Sequence, residues 1–367
     1  MNHRWGLLSF VAMLMVAGSA GCGDDEKDAT PAKVTKAAWI YISEIGDGGW
    51  TYAHNQGRLQ VEAELENVTT TYIENINDGD AVASEAAIRE AAAKNDIVFT
   101  TSFGYMNPTA TVAADFPNVR FEHCSGYLSG ANFINYFGRI EQARYLTGIV
   151  AGRMTTANKI GYVAAFPLPE VFRGINAFTL GAQSVNPDVE VYVYWTKTWY
   201  GPTEESAGAN ALITDQGVDI IAQHQDTTAP ILAARDAGIY AIGYDTDMSA
   251  AAPGTVLTSA IWHWGPYYAK RVRAVQGGTW TSENYWGGLH DGIAGLGLFG
   301  AMVTESVRAE VGTAQAAIAD GTLNIFAGPI SKADGSTWVA VGAAIPDAEQ
   351  LSMTDAVMGV TEVNARE

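Results

Sequence analysis

The stretch Ala37-Ala38-Trp39-Ile40-Tyr41-Ile42, followed by Ser43-Glu44-Ile45-Gly46-Asp47-Gly48-Gly49 and then by Trp50-Thr51-Tyr52-Ala53-His54, reads as a strand, a glycine-rich turn and a helix. A short apolar run bounded by turn residues is the signature of a strand, and this unit recurs downstream. Further strands are predicted at Thr69–Ile73, Ile97–Thr100 and Val119–His123, separated by helical stretches at Tyr52–Leu65, Gly79–Ala93 and Asn107–Phe116. Such alternation is the pattern of a parallel α/β layer structure.

After a longer amphipathic stretch, Ile140–Met154, the rhythm begins again with strands at Lys159–Ala164, Val189–Trp195, Ile220–Gln223, Tyr240–Tyr244 and Val256–Ser259. The helices between them are predicted at Glu170–Ser184, Thr203–Asp215 and Ala229–Ala237. Two α/β units in tandem are implied. The remainder is less regular, with helices at Pro266–Val275 and Thr304–Ala319 and an aromatic strand at Tyr285–Gly288, and it is too sparse in strands for a third unit. It is therefore expected to return to the first two.

At the other end, Arg4 precedes a mainly apolar run from Trp5 to Ala17 that stops at Ser19-Ala20-Gly21-Cys22. The run is shorter than the ~20 residues of a membrane-spanning helix, so residues 1–21 read as a secretion signal. Cys22 is the candidate lipidation site, and residues 22–36 form a polar tether. Of the two cysteines, that leaves Cys124 alone, without a partner for an intramolecular disulfide and expected as a small buried hydrophobe. Roughly 345 residues remain for the fold, enough for two ordinary domains. A net charge of −19 at pH 7 argues against nucleic acid, which would be repelled.

In doubly wound sheets the ligand lies beyond the carboxyl ends of the strands, so the turns there matter most. They carry aromatics and short polar groups: Asp47, Trp50, Tyr52 and Asn55 after the first strand, Tyr105 after the third, then Phe166, Trp199, Asp226 and Asp245 in the second unit. Such a lining suits a flat heterocycle or a sugar, the rings stacking and the carboxylates accepting N–H or O–H donors. The turn Gly46-Asp47-Gly48-Gly49 is neither a P-loop nor a dinucleotide turn. The six histidines lack metal-binding spacing, and no nucleophile elbow is present. Neither catalysis, a cofactor nor a metal is expected.

The segments Gly46-Asp47-Gly48-Gly49-Trp50-Thr51-Tyr52-Ala53-His54-Asn55-Gln56-Gly57, Thr101-Ser102-Phe103-Gly104-Tyr105, Gly243-Tyr244-Asp245-Thr246-Asp247, Thr258-Ser259 and Trp286-Gly287-Gly288-Leu289, in this order and spacing, resemble the basic membrane lipoprotein family of ABC-transporter binding proteins. The resemblance implies a type I periplasmic-binding-protein fold, two doubly wound lobes joined by three hinge crossings. Residues 37–161 and 263–292 would form one lobe and 162–262 and 293–367 the other, with crossings near Tyr162–Phe166, Ser259–Trp262 and Gly292–Ala319. It further implies an exported lipoprotein in the cell envelope, a monomer that delivers a small ligand to permease subunits. By motif position Trp50 and Trp199 would clamp a purine, Asp47 would match the first-turn aspartate, and Asp245 would hold ribose hydroxyls. Where nucleoside-binding members tend to carry a lysine, this chain has Trp262. An indole has one donor and fills much of the sugar's volume, which points to a free nucleobase such as adenine or guanine, with a nucleoside or a sugar as the alternatives.

Overall fold

The computed structural model describes residues 33–366. The leader over 1–21, Cys22 and most of the tether lie outside the described residues.

Six parallel strands make the first sheet: β1 (Thr35–Ile40), β2 (Val68–Ile73), β3 (Ile97–Thr100), β4 (Arg120–Cys124), β5 (Phe133–Gly138) and a late arrival, β11 (Tyr285–Gly287). Their order across the sheet is β11-β5-β4-β3-β1-β2. Strands β3 and β5 are buried along their whole length, and β1 is buried except at Lys36, as continuous apolar runs covered by helices on both faces must be. Helices α1 (Trp50–Glu64), α2 (Ala81–Ala92), α3 (Met106–Asp115) and α8 (Trp264–Gln276) cover this sheet. Asp80 caps α2, accepting from the backbone N–H groups of Val82 and Ala83, which satisfies two of the donors a helix start leaves free. Cys124 closes β4 and is buried.

The second sheet holds β6 (Lys159–Ala164), β7 (Glu190–Trp195), β8 (Ile220–His224), β9 (Tyr240–Asp245), β10 (Val256–Trp262), β12 (Ala294–Leu296) and β15 (Val360–Glu362), in the order β12-β10-β9-β8-β6-β7-β15. Only β12 runs antiparallel. Helices α4 (Ile140–Met154), α5 (Pro169–Val185), α6 (Pro202–Ala211), α7 (Ala229–Asp236) and α9 (Glu305–Ala319) belong to this lobe. The tail contributes a small hairpin, β13 (Ile330–Ser331) with β14 (Thr337–Val339), before β15 joins the sheet edge beside β7.

The irregular last third of the chain therefore adds β11 to the first sheet and β12 and β15 to the second, and the chain passes between the sheets three times. The first passage differs from the sequence expectation. It falls at Gly138-Arg139-Ile140 rather than after residue 161, because α4 packs on α5 and on β10 in the second lobe. There the buried Arg144 donates to the Gln223 carbonyl. The strand Phe133–Gly138 was not read from the sequence at all. The other two passages lie between Trp262 and Trp264 and between Gly287 and Ala294. The three run side by side: Arg139 N–H donates to the Gly287 carbonyl at 2.6 Å and His263 N–H to the Ile293 carbonyl at 2.9 Å.

Candidate functional site

Strand order reverses between β3 and β1 in one sheet and between β8 and β6 in the other, and crevices open at such switch points. The two crevices face one another. Between them, with the lobes in this closed arrangement, is a small cavity of about 20 Å³ lined by Trp50, Ser102, Phe103 and Ser125 from the first lobe and by Glu170, Trp199, His224, Asp226 and Tyr244 from the second. That is room for about one water, so a small-molecule ligand enters only as the lobes part.

The lobes meet directly around it. Gly48 forms an isolated antiparallel bridge with Thr227, and the Thr246 hydroxyl donates to the Gly48 carbonyl at 2.7 Å. A Cβ on Gly49 would stand 2.1 Å from the Asp226 carbonyl oxygen, so only glycine allows this approach. On the opposite wall the Ser125 hydroxyl donates to the Glu170 carboxylate, joining the lobes again. Beyond Glu170 a wider groove of about 590 Å³ runs past Phe137, Tyr285 and Trp286.

Three of the sequence-derived site residues are brought together here: Trp50, Trp199 and Asp226. Trp50 begins α1, where its indole N–H donates to the Thr101 carbonyl at 2.6 Å and its ring meets Trp262 edge to face, 6.2 Å between centroids at 80°. Trp199 sits in the loop after β7 with Phe166 against it at 5.3 Å. Phe166 thus supports a wall and faces a neighbouring depression. The Asp226 carboxyl accepts no hydrogen bond among the described residues. Its burial, and next the charge of Asp245, push its pKa well above the usual carboxylate range.

Asp245 and Trp262 lie just behind the wall and are bonded to each other, indole N–H to carboxylate at 3.1 Å. Burial raises the Asp245 pKa, and the nearby Arg144 charge lowers it by less. Trp262 also stacks on Trp264, 4.5 Å apart at 22°. The indole thus takes an oxygen of the carboxylate that the family resemblance assigns to ribose.

Four further expected residues also lie off the cavity wall. Asp47 accepts from Ser43 Oγ, and from the backbone N–H groups of Gly49, Thr51 and Tyr52 at 2.9–3.0 Å, so both its oxygens are engaged in holding the turn that starts α1. The Tyr52 ring is 40% exposed, because the helix turns it outward. Asn55 accepts from Arg58 Nε at 2.9 Å. Tyr105 is fully buried in the first lobe's core, its hydroxyl donating to the Ile76 carbonyl.

The lining residues not singled out as ligand contacts from the sequence are Ser102, Phe103, Ser125, Glu170, His224 and Tyr244. Four of these stand in or beside turns at strand ends, a signal that was available. Ser125 follows a strand in the left-handed conformation, with φ of 64°. Glu170 occupies the first turn of α5, where an acid reads simply as a favourable helix start. Burial raises its pKa despite the Ser125 hydrogen bond. Among the described residues no cluster of His, Cys, Asp and Glu could hold a metal ion, and no helix is long and apolar enough to cross a membrane.

Two doubly wound lobes linked by three passages, with a cavity between paired switch points, define the type I periplasmic-binding fold. The chain belongs to the PnrA-like family of ABC transporter substrate-binding proteins, whose family model matches residues 34–322. That agrees with the resemblance carried by the sequence motifs. Over 357 residues it is 44% identical to a protein named purine-binding protein in Brucella abortus (strain 2308), covering 97% of this chain and 99% of that one. Over 297 residues it is 41% identical to TsgA13 of Haloferax volcanii, described as an ABC transporter glucose-binding protein, covering 81% of this chain and 75% of the other. A solute-binding protein structure from Aeropyrum pernix K1 superposes with a TM-score of 0.70 at 18% identity, covering 80% of this chain and 94% of that one, which supports the fold.

Proposed function

We propose that the protein captures a purine, as the free nucleobase, in the interlobe cavity and delivers it to ABC permease subunits from a lipid anchor on Cys22 in the cell envelope. The observation that carries this reading is that Trp50 and Trp199, one from each lobe, line a single void together with the buried carboxyl of Asp226. Two indoles give a flat ring stacking partners, each pair adding about 1 kcal/mol beyond area burial. In its protonated form, which burial favours, the Asp226 carboxyl offers one donor and one acceptor to the alternating acceptors and donors along a purine edge. The relative named for purine binding supports the ligand class. The Trp262 indole on Asp245 favours the base over the nucleoside, since a ribose would have to displace it.

The glucose-binding description of the Haloferax relative favours a second reading, a sugar in the same cavity. Isothermal titration calorimetry with adenine, guanosine, ribose and glucose separates them. Adenine is expected to bind and the sugars to give no heat. Glucose binding without a purine response would sink the purine reading, and guanosine binding more tightly than the bases would sink the nucleobase part alone. Intact-mass analysis of the mature protein tests the anchor, which requires a diacylglyceryl mass on Cys22.

A further inference from the structure

Beneath the cavity floor, three buried polar atoms without partners converge on one point. The point lies over Gly174 in the interior of α5. A methyl carbon placed on the Gly174 Cα would stand 3.5 Å from His224 Nδ1, 3.6 Å from Arg144 Nε and 3.6 Å from the Tyr162 hydroxyl. All three atoms are buried and none is hydrogen bonded. Native proteins rarely leave such groups unsatisfied, and a convergence of several marks a ligand, ion or water site.

The chemistry of the three atoms selects among these. Arg144 is fully buried. Its Nη1 is bonded to the Gln223 carbonyl while Nη2, like Nε, lacks a partner. The guanidinium lies 3.8 Å over the Tyr244 ring and 5.5 Å from that of Tyr162, and among the described residues it makes no ion pair. Its charge reaches the buried Asp245, whose pKa it lowers, but no described carboxylate contacts the guanidinium, and a buried cation without a contacting anion is costly. His224 Nε2 stands 3.3 Å from the Tyr244 hydroxyl. With that hydroxyl donating, the ring proton is on Nδ1 and points at the same place. The guanidinium Nε–H, the Tyr162 O–H and the His224 Nδ1–H are then three donors facing one spot. A water accepting two bonds and donating to the Tyr162 oxygen also satisfies the three groups, but only an anion answers the guanidinium charge.

We propose that the space over Gly174 is a binding site for a small monovalent anion of chloride size, held by Arg144 Nε, Tyr162 Oη and His224 Nδ1. Because His224 and Tyr244 also wall the interlobe cavity, the anion would fix the imidazole orientation that the transported solute meets. The site stands whether that solute is a purine or a sugar.

The test uses the whole mature protein. Crystals soaked in sodium bromide are expected to show an anomalous peak between the three named atoms. Thermal unfolding in sodium chloride against sodium gluconate, at equal ionic strength, is expected to give a saturable rise of roughly 2 °C by about 100 mM chloride. In Gly174→Ala the added methyl makes only ordinary contacts with its neighbours, and the helix gains propensity, so an empty dry space would leave that variant as stable or more so. The account instead expects it to lose the chloride response. Tyr162→Phe keeps the ring and removes one donor, and it should respond at higher chloride than the parent. No bromine peak, an ordered water at the point, or equal melting temperatures in the two salts would overturn the proposal. So would an undiminished chloride response in both variants.

Discussion

Trp199 differs from Trp50 in how much of the fold depends on it. Trp50 is packed among His54, Trp262 and Trp264 and bonded to Thr101, so its truncation would disturb the first lobe as well as the ligand. Trp199 is half-buried in a loop with Phe166 and His224 as its ring neighbours. Trp199→Ala should therefore weaken purine binding by roughly 10–100-fold, the loss of one stacked face and its burial, while the melting temperature stays within about 2 °C of the parent. Calorimetry and a thermal melt on the same sample check both halves. Trp50, Trp199 and Asp226 were legible in the sequence because strand-end turns are where a doubly wound sheet puts its ligand. Asp47 was legible as a turn residue by resemblance, but its role was not: nothing in a sequence says that both carboxylate oxygens will be taken by Ser43 and the backbone of the following turn. Glu170 was illegible for the opposite reason, since its place in the wall exists only after the other lobe's Ser125 closes over it.

At the scale of elements, the α4–α5 contact and the α6 start set the floor of the site. A Cβ on Gly181 of α5 would lie 2.0 Å from the Tyr145 carbonyl of α4, and one on Gly148 of α4 2.1 Å from the Phe178 carbonyl. These contacts are with backbone, which cannot step aside, so Gly181→Ala is expected to cost about 1–3 kcal/mol despite alanine's better helix propensity, read as a lowered midpoint in urea. This pairing also explains the misplaced boundary: the amphipathic pattern of Ile140–Met154 announces a buried face without saying which sheet buries it. The strand Phe133–Gly138 escaped because its residues are all buried or nearly so and lack the alternation that betrays a half-exposed strand.

Glu205, in the first turn of α6, accepts from the Gly201 N–H at 3.0 Å and the Thr227 hydroxyl at 2.6 Å, tying α6 to the turn that carries Asp226. Desolvation is the largest cause of its pKa rising to about 7, against smaller lowering by those hydrogen bonds. A carboxyl raised in the folded state binds its proton more tightly there than in the unfolded chain. Its contribution is thus complete below the unfolded value and is lost as pH rises through about 7, at most about 3 kcal/mol in all. Stability measured by urea unfolding from pH 4.5 to 8 should decline through this window, and Glu205→Gln should flatten that part of the decline.

The molecule as a whole is two sheets whose switch points are pressed together, and its closure rests on a few contacts at the cavity rim. Gly48 bridges Thr227, Thr246 bonds Gly48, and Ser125 bonds Glu170. Gly49→Ala puts a methyl group into the Asp226 carbonyl across the gap between lobes, where rigid-body opening relieves the clash without unfolding either sheet. The expected result is a normal melting profile, a larger radius of gyration by small-angle scattering in the presence of ligand, and purine affinity reduced at least about tenfold, since the closed state can be reached only at a cost. A compact liganded variant with unchanged affinity would contradict the closure geometry. The two-lobed architecture was legible from strand rhythm and motif order. The manner in which the last third of the chain threads back was not, because short strands such as Ala294–Leu296 and Val360–Glu362 have no periodicity of their own and take their place from neighbours distant in sequence.

The most direct measurement is a crystal structure of the protein grown with adenine. The account predicts planar density between the indoles of Trp50 and Trp199 with one edge on the Asp226 carboxyl. Adenine in the groove beside Trp286, or an interlobe cavity filled only by solvent at saturating adenine, would contradict it.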